Sequence, residues 1–550
     1  MKRGCWLLAT GLVILFVSGL VFAGDLRIGI ATEPWDLDPA IRTDTGSGYV
    51  IKNVYDPLIE LDQNNEPTTE FALAESWEWE NDAATLVVHV RKGVVFHDGS
   101  KLNASVVKYN IDWQLDDENS APNKGLLGPI ESVNIRDEYT LEVNFTGPFT
   151  SALQQWSRAL DGIVPEGGHG KRSEETGVGG FLMSELSRNP VGTGPFKFVD
   201  WVSGSHVTVE RFDNYWVDGV PVAGIDQVVF EVIGDEAVML AALISGAIHI
   251  VDKVPFRDFD TVSRMPGIET ARIPGIQLQY IAMDQGAPPF GVGPDENDDP
   301  VAIERALNLR KFLYHAIDRE EIADELFYGM ATLQHGPWFP DSPWFSPNLL
   351  GRPLHDPVLA QEYLNKAGPE YADGFDFRMV ATNAQWFVDV ATVIQEQLRP
   401  YDVNVEVIPL DKAAFFDTLY ETFDWETGME DWGLNNFLAI SWMFSGYYRN
   451  DHNHNHWHHE TADLPESYHE TTPGHAEFTA LYDEAIVEPD EQRRKELVWE
   501  MQEMVVDNVI RIEMMFLDNL HAWSDSVEGY GDSLNSQGEI NLKFVTGFTD

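Results

Sequence analysis

The single cysteine of this 550-residue chain is Cys5, and it lies ahead of an apolar run from Trp6 to Phe22. Lys2 and Arg3 precede that run, and Val21-Phe22-Ala23 places small residues at the −3 and −1 positions of a cleavage site before Gly24. The pattern predicts a secretory signal over residues 1–23 and export to the periplasm or beyond. A retained anchor is the other reading, but a run of about 17 residues is short for a membrane span. Cys5 does not stand at a cleavage point after the run, so a lipid-anchored start is not supported. Everything after Ala23 therefore folds without a thiol. Disulfides, thiolate metal sites and cysteine nucleophiles are excluded together, and a large exported chain must be held by its apolar cores alone.

Length gives room for three to four domain-sized units at about 150 residues each. No later segment approaches eighteen uninterrupted apolar residues, so the remainder reads as soluble. Ninety Asp and Glu stand against 36 Lys and Arg, a net charge of −54. A surface this negative repels phosphate backbones, which excludes nucleic acid as a partner. Only 14 of the basic residues are lysine. An acid-rich, lysine-poor surface suits high salt, where a short Debye length screens self-repulsion; an acidic but ordinary exported protein is the alternative.

Strand and helix signals alternate along the chain. Asp25 to Ile30 reads as a strand that ends in the turn chemistry of Glu33 to Pro39. Thr85 to Phe96 and Thr140 to Phe145 read as strands, and Ala104 to Leu115 as a helix. Pro190 to Pro195 is a punctuated loop before a strand over Phe196 to Trp201. Ala237 to Ile244 is helical, Ile248 to Val251 a strand, and Ala302 to Phe327 carries apolar residues at helical spacing throughout. Pro357 to Ala367, Phe387 to Leu398 and Glu491 to Asp507 read as helices, and Val403 to Ile408 as a strand. No fixed-period repeat is present, against a solenoid or propeller. The fold class is α/β.

Catalytic signatures are missing. Neither G-x-S-x-G nor H-E-x-x-H occurs. Gly170-Lys171 resembles the end of a phosphate loop, but Pro165 replaces its first Gly and Arg172 its Ser or Thr. Gly192-Thr193-Gly194 runs into Pro195 and Phe196 without a third Gly, so the dinucleotide fingerprint fails. Paired carboxylates carry no weight in so acidic a chain. The reading is of a protein that is not an enzyme; an exported hydrolase on the same scaffold would need a nucleophile that no motif supplies.

Four separated motifs resemble the family 5 extracellular solute-binding proteins, the peptide and nickel group of ABC-importer receptors. They are Leu37-Asp38-Pro39-Ala40; Leu73 to Glu78 with Arg91 to Gly99; Val191 to Phe196 with Asn214-Tyr215-Trp216; and Ala316 to Glu320. The resemblance implies a fold of the periplasmic-binding-protein type II kind, with two lobes, a hinge and an extra subdomain in the first lobe. It places lobe I at 24–50 and 190–275, its subdomain at 51–189, lobe II at 276–514 and a C-terminal return to lobe I at 515–550. Ile273 to Met283 and Met515 to Trp523 are the expected crossings. It implies a monomer that captures an oligopeptide or similar polar solute between the lobes and docks on a membrane permease, with no cofactor.

Of 17 Trp, those in loops matching the family's cleft segments are the candidates for stacking on a ligand: Trp35, Trp386 and Trp432, with Trp442 and Tyr55 poorer choices. Packing is the alternative for any one of them. Asn383, just ahead of Trp386, is a further ligand-binding candidate. Peptide binders of the family read Trp-x-x-Asp where this chain has Trp432-Gly433-Leu434-Asn435, the Asp carboxylate pairing with the ligand ammonium. Asn435 brings no charge, so Glu33 or Asp431 must substitute if the ligand carries a free amine. A neutral amide beside aromatic faces also suits an oligosaccharide.

Seven of the sixteen His lie between 452 and 475. His452, His454, His456 and His458 alternate, so an extended chain puts four imidazoles on one face. Imidazole suits Ni(II) or Zn(II), making a receptor for nickel or a metal chelate a second reading; an exposed polar loop is the plain one.

Overall fold

A computed structural model describes residues 24–62, 66–169, 184, 186–220, 224–293, 296, 299–422, 424–433, 474–488, 490–535 and 538–549. The leader, Asn435, Trp442 and the four histidines of the 452–458 tract lie outside the described residues. No described helix is long and apolar enough to cross a membrane.

The fold is mixed α/β in two lobes. An eleven-stranded sheet runs through both, in the order Asn404–Leu410, Asp376–Thr382, Thr427–Gly433, Ile268–Met283, Ile512–Ser524, Ile250–Val251, Asp25–Ile30, Gln227–Val232, His206–Arg211 and Phe196–Val202; Ala331–Leu333 pairs on Ile512–Ser524. Ile268–Met283 and Ile512–Ser524 are antiparallel neighbours from Ile268 opposite Ser524 to Ile281 opposite Ile512. Their far ends belong to different lobes, Trp523 pairing with Ile250 and Leu278 with Trp432. Each strand extends beyond the span read from sequence, because the backbone pairing between the two continues past their apolar stretches, through the exposed Glu269 and Arg272.

Local chemistry explains the elements. Asn103 accepts from the Ser105 and Val106 N–H groups (3.0 and 3.1 Å), satisfying orphan donors at the start of Ala104–Leu115. Asp356 does the same for Pro357–Ala367, whose first residue is a proline that needs no donor there. The stretch Ala302 to Phe327 is two helices, Pro300–Ala316 and Arg319–Phe327. Asp318 ends the continuity by capping the second, accepting from Glu321 N–H at 3.0 Å. Apolar spacing runs straight through because both helices bury Phe312, Leu313, Ile322 and Phe327 in one core.

The subdomain is a four-stranded antiparallel sheet, ordered Ala74–Glu80, Thr85–Val90, Thr140–Phe145, Ile130–Asp137. It encloses its own core around Leu86, Val88, Val143 and Trp156. The motifs that carried the family resemblance fasten it to the first lobe. Buried Asp56 accepts from Thr193 Oγ1 (2.9 Å), Tyr215 OH (2.9 Å) and Trp216 Nε1 (2.8 Å). His97 donates its backbone N–H to Gly192 O (2.9 Å), and its Nε2 lies 3.0 Å from Gly194 O. A Cβ on Gly192 would stand 2.2 Å from Val54 O, and one on Gly194 2.6 Å from Val54 C, so both positions admit glycine alone.

Candidate functional site

In each lobe one parallel strand is flanked on both sides by parallel neighbours. In the first, Asp25–Ile30 lies between Gln227–Val232 and Ile250–Val251. In the second, Asp376–Thr382 lies between Asn404–Leu410 and Thr427–Gly433. In α/β sheets ligands bind in crevices beyond the carboxyl ends of such parallel strands. Those ends carry Glu33, Trp35 and Asp252 in one lobe, and Asn383, Lys412 and Asp431 in the other. They meet: Lys412 Nζ stands 4.9 Å from the centre of the Trp35 ring and 5.9 Å from that of Phe416.

Trp35 is held by its own loop. Its N–H and that of Asp36 donate to Ser47 Oγ at 2.9 and 3.1 Å. Asp38 N–H donates to Asp36 Oδ1 (2.7 Å), while the buried Asp38 carboxylate takes Ser184 Oγ (2.7 Å) and His169 Nδ1 (3.0 Å). Ala31 N–H donates to Asp252 Oδ2 at 3.0 Å, joining two carboxyl ends. Burial pushes the carboxyls of Asp36 and Asp252 each up to about 6.

Glu33 is already engaged. Trp201 Nε1 donates to its Oε1 at 2.9 Å, and the Arg188 guanidinium lies 3.5 Å over the Trp201 ring. Partial burial would raise the Glu33 carboxyl, but donors from Trp201, Gly204 and Ser203, with the Arg188 charge, outweigh it and hold the group below its ordinary value. Asp431 is different. It reaches solvent, yet protein surrounds most of its carboxylate; that desolvation raises it, against the lowering effects of the Lys412 charge and the Gln277 amide that donates to it. Among the described residues Lys412 forms no ion pair within 4 Å, in a chain with 90 carboxylates.

Of the other candidates, Trp386 and Tyr55 are taken up by packing. Asn383 is exposed at the end of its strand, its N–H donated to Leu410 O at 2.7 Å. Trp386 stacks on Phe387 with ring centres 3.5 Å apart and meets Phe327 edge-on, against the second-lobe core. Packing accounts for that ring. Tyr55 is fully buried, its OH donating to Leu37 O at 3.2 Å. The backbone of Trp432 pairs with Leu278. No group of three or more metal-ligating side chains occurs among the described residues.

Lys412 is the residue that sequence reading missed. A lone lysine after Pro409-Leu410-Asp411 has no periodic or motif signal; the scarcity of lysine was the only hint.

The sequence model of the bacterial extracellular solute-binding proteins, family 5 Middle, matches residues 68–455. The chain is 27% identical over 453 residues to a glutathione-binding protein GsiB of Pectobacterium atrosepticum, covering 80% of this chain and 82% of that one. Its fold matches the oligopeptide-binding protein AppA of Bacillus subtilis in complex with a nonapeptide, with TM-score 0.75, 20% identity and 95% and 99% of the two chains covered. It also matches NikZ of Campylobacter jejuni in complex with Ni(L-His), with TM-score 0.73, 20% identity and 95% and 98% covered.

Proposed function

The chain belongs to the family 5 extracellular solute-binding proteins, substrate-binding components of ABC importers, and from that premise we propose that its cargo is a short peptide or peptide-like zwitterion held between Trp35, Lys412 and Asp431. Members of the family are transport receptors and not enzymes; they capture a solute and deliver it unchanged to a membrane permease. Export by the leader over residues 1–23, and action as a monomer, belong to the same reading.

The observation that carries it is the meeting of Trp35 with Lys412 from the opposite lobe, a lysine that forms no ion pair within 4 Å among the described residues. A closing cleft rewards contacts made by both walls at once, and the ligand's differential affinity for the closed form drives closure. Lys412 offers a carboxylate a charge-assisted bond, Asp431 offers one to an ammonium, and Trp35 gives the intervening atoms a flat apolar face. Asp431 thus takes the part that Asn435 cannot play, while Glu33 stays committed to Trp201. Glutathione, carboxylate-bearing at both ends and carrying one ammonium, fits the same chemistry as the ligand named for the curated relative.

A neutral oligosaccharide would leave Lys412 and Asp431 without charged partners. A nickel chelate draws support from the NikZ likeness and from the histidine tract, but that tract lies outside the described residues. The test is calorimetric titration of the mature protein with glutathione, a di- to pentapeptide pool and an oligosaccharide pool, with Trp fluorescence in parallel. Binding from the peptide arms is expected; a response confined to the sugars overturns the reading.

A further inference from the structure

A second cavity lies between the first-lobe subdomain and the second lobe, and it shares no lining residue with the Trp35 and Lys412 site. Its volume is about 600 Å³, within the roughly 300–1,000 Å³ of small-molecule pockets. One wall is the turn before helix Ala152–Ala159, with Phe149 and Thr150; the other is Trp344, Tyr482, Ile486 and Arg494, from a loop and the helices His475–Ala485 and Glu491–Asp507 with the turn between them. Ile486 is 40% exposed although apolar, and Trp344 and Tyr482 are largely buried.

Arg494 is the one polar anchor of suitable strength. It is half-buried, and its Nη1 donates to Glu488 O (2.7 Å) and across the gap to Thr150 Oγ1 (3.2 Å). Among the described residues it forms no ion pair within 4 Å, and its Nε and Nη2 have no hydrogen-bond partner. Burial lowers its pKa more than the charges of Glu491, Glu488 and Asp490 raise it, as expected of a partly dehydrated cation. Of the two carboxylates lining the cavity, Glu491 is paired with Lys495 at 2.6 Å and Glu66 is solvent-exposed. The guanidinium also lies 5.5 Å from the Trp344 ring centre, beside the apolar wall. A planar fork with free donors next to aromatic surface is matched by a carboxylate on an apolar body.

We propose that this cavity is a second binding site, for a small apolar monocarboxylate whose acid group pairs with Arg494 and whose hydrophobic body lies between Phe149, Trp344 and Ile486. The walls come from the first-lobe subdomain and from the second lobe. A guest touching both binds the closed arrangement more tightly and shifts the population toward it, whatever occupies the Trp35 and Lys412 site.

The test uses the mature protein with 3-phenylpropanoate as probe and 3-phenylpropanamide as its uncharged twin, read by ligand-observed NMR and calorimetry. Saturable binding of the acid is expected, weakened by about tenfold or more in the amide and in Arg494→Gln. Ile486→Glu, on an exposed position that does not endanger folding, should weaken it similarly, and Lys412→Gln should leave it unchanged. Equal binding by wild type, Arg494→Gln and Ile486→Glu overturns the proposal. So does loss of binding in Lys412→Gln, which would put the probe in the other site, or no saturation up to about 10 mM.

Discussion

Lys543 and Asp56 form a fully buried ion pair of 2.8 Å between the C-terminal tail and the segment that opens the subdomain. Lys543 Nζ also donates to Tyr55 O at 3.2 Å. With the three neutral donors from Thr193, Tyr215 and Trp216, Asp56 becomes the point at which tail, subdomain and first lobe are fastened together. Removing one partner of a buried pair strands the other charge and costs about 3–5 kcal/mol. Lys543→Met should therefore lower the denaturant midpoint sharply in chemical unfolding. A variant within about 0.5 kcal/mol of wild type would show the pair to be dispensable.

A second buried cluster sets the acid limit. Glu539 accepts from Arg42 Nη2 at 2.5 Å and lies 3.6 Å from Lys52 Nζ; Arg42 also pairs with Asp161. Burial would raise the Glu539 carboxyl, but the charges of Arg42 and Lys52 overcome it and hold the group at about 2. Its folded pKa is thus depressed, so the stability it contributes is present above the ordinary glutamate value and is lost as pH falls toward 2. The linkage corresponds to about 3 kcal/mol. Thermal unfolding of wild type and Glu539→Gln across pH 6 to 2 should show the difference between them shrinking below about pH 4.5. A constant difference would refute the assignment.

Salt should act on the surface and not on these clusters. A net charge of −54 gives self-repulsion that a shorter Debye length screens. Raising NaCl from about 0.1 to 1 M is expected to raise the thermal midpoint. The deficit of Lys543→Met should stay the same, because its pair is fully buried. A midpoint that falls or stays flat would mean that the acidic surface costs the fold nothing.

The sequence was informative where the physics is local. Helices Ala104–Leu115, Pro357–Ala367 and Glu491–Asp507 and strands Asp25–Ile30 and Thr140–Phe145 follow from periodicity with a cap or turn at each end. The break at Asp318 escaped because capping is a single side-chain bond within an unbroken apolar pattern. The pair of Asp56 and Lys543 could not be read at all: neighbours in space so far apart in sequence leave no spacing to detect. The family motifs were recognisable, yet Arg319, in the last of them, gives its guanidinium to Glu513 O, Tyr314 O and Leu354 O inside the second lobe. Such residues mark the fold and not the ligand. Trp35 is visible as a candidate because it is an aromatic just past a first strand, whereas Lys412 opens the short helix Lys412–Asp417, which no apolar periodicity marks.

The contact of Lys412 with Trp35 makes the sharpest functional prediction. A charge-assisted bond to a carboxylate contributes about 1.5–3 kcal/mol, so Lys412→Gln should weaken a peptide with a free C-terminus by roughly tenfold to a hundredfold. The amidated form of the same peptide offers no carboxylate and should bind the variant and wild type alike. Trp35→Ala removes apolar contact irrespective of ligand charge and should weaken both forms. Calorimetry over this set of three proteins and two peptides separates charge recognition from stacking. If acid and amide lose equally in Lys412→Gln, the lysine serves only to brace the indole, and the carboxylate is read elsewhere in the cleft.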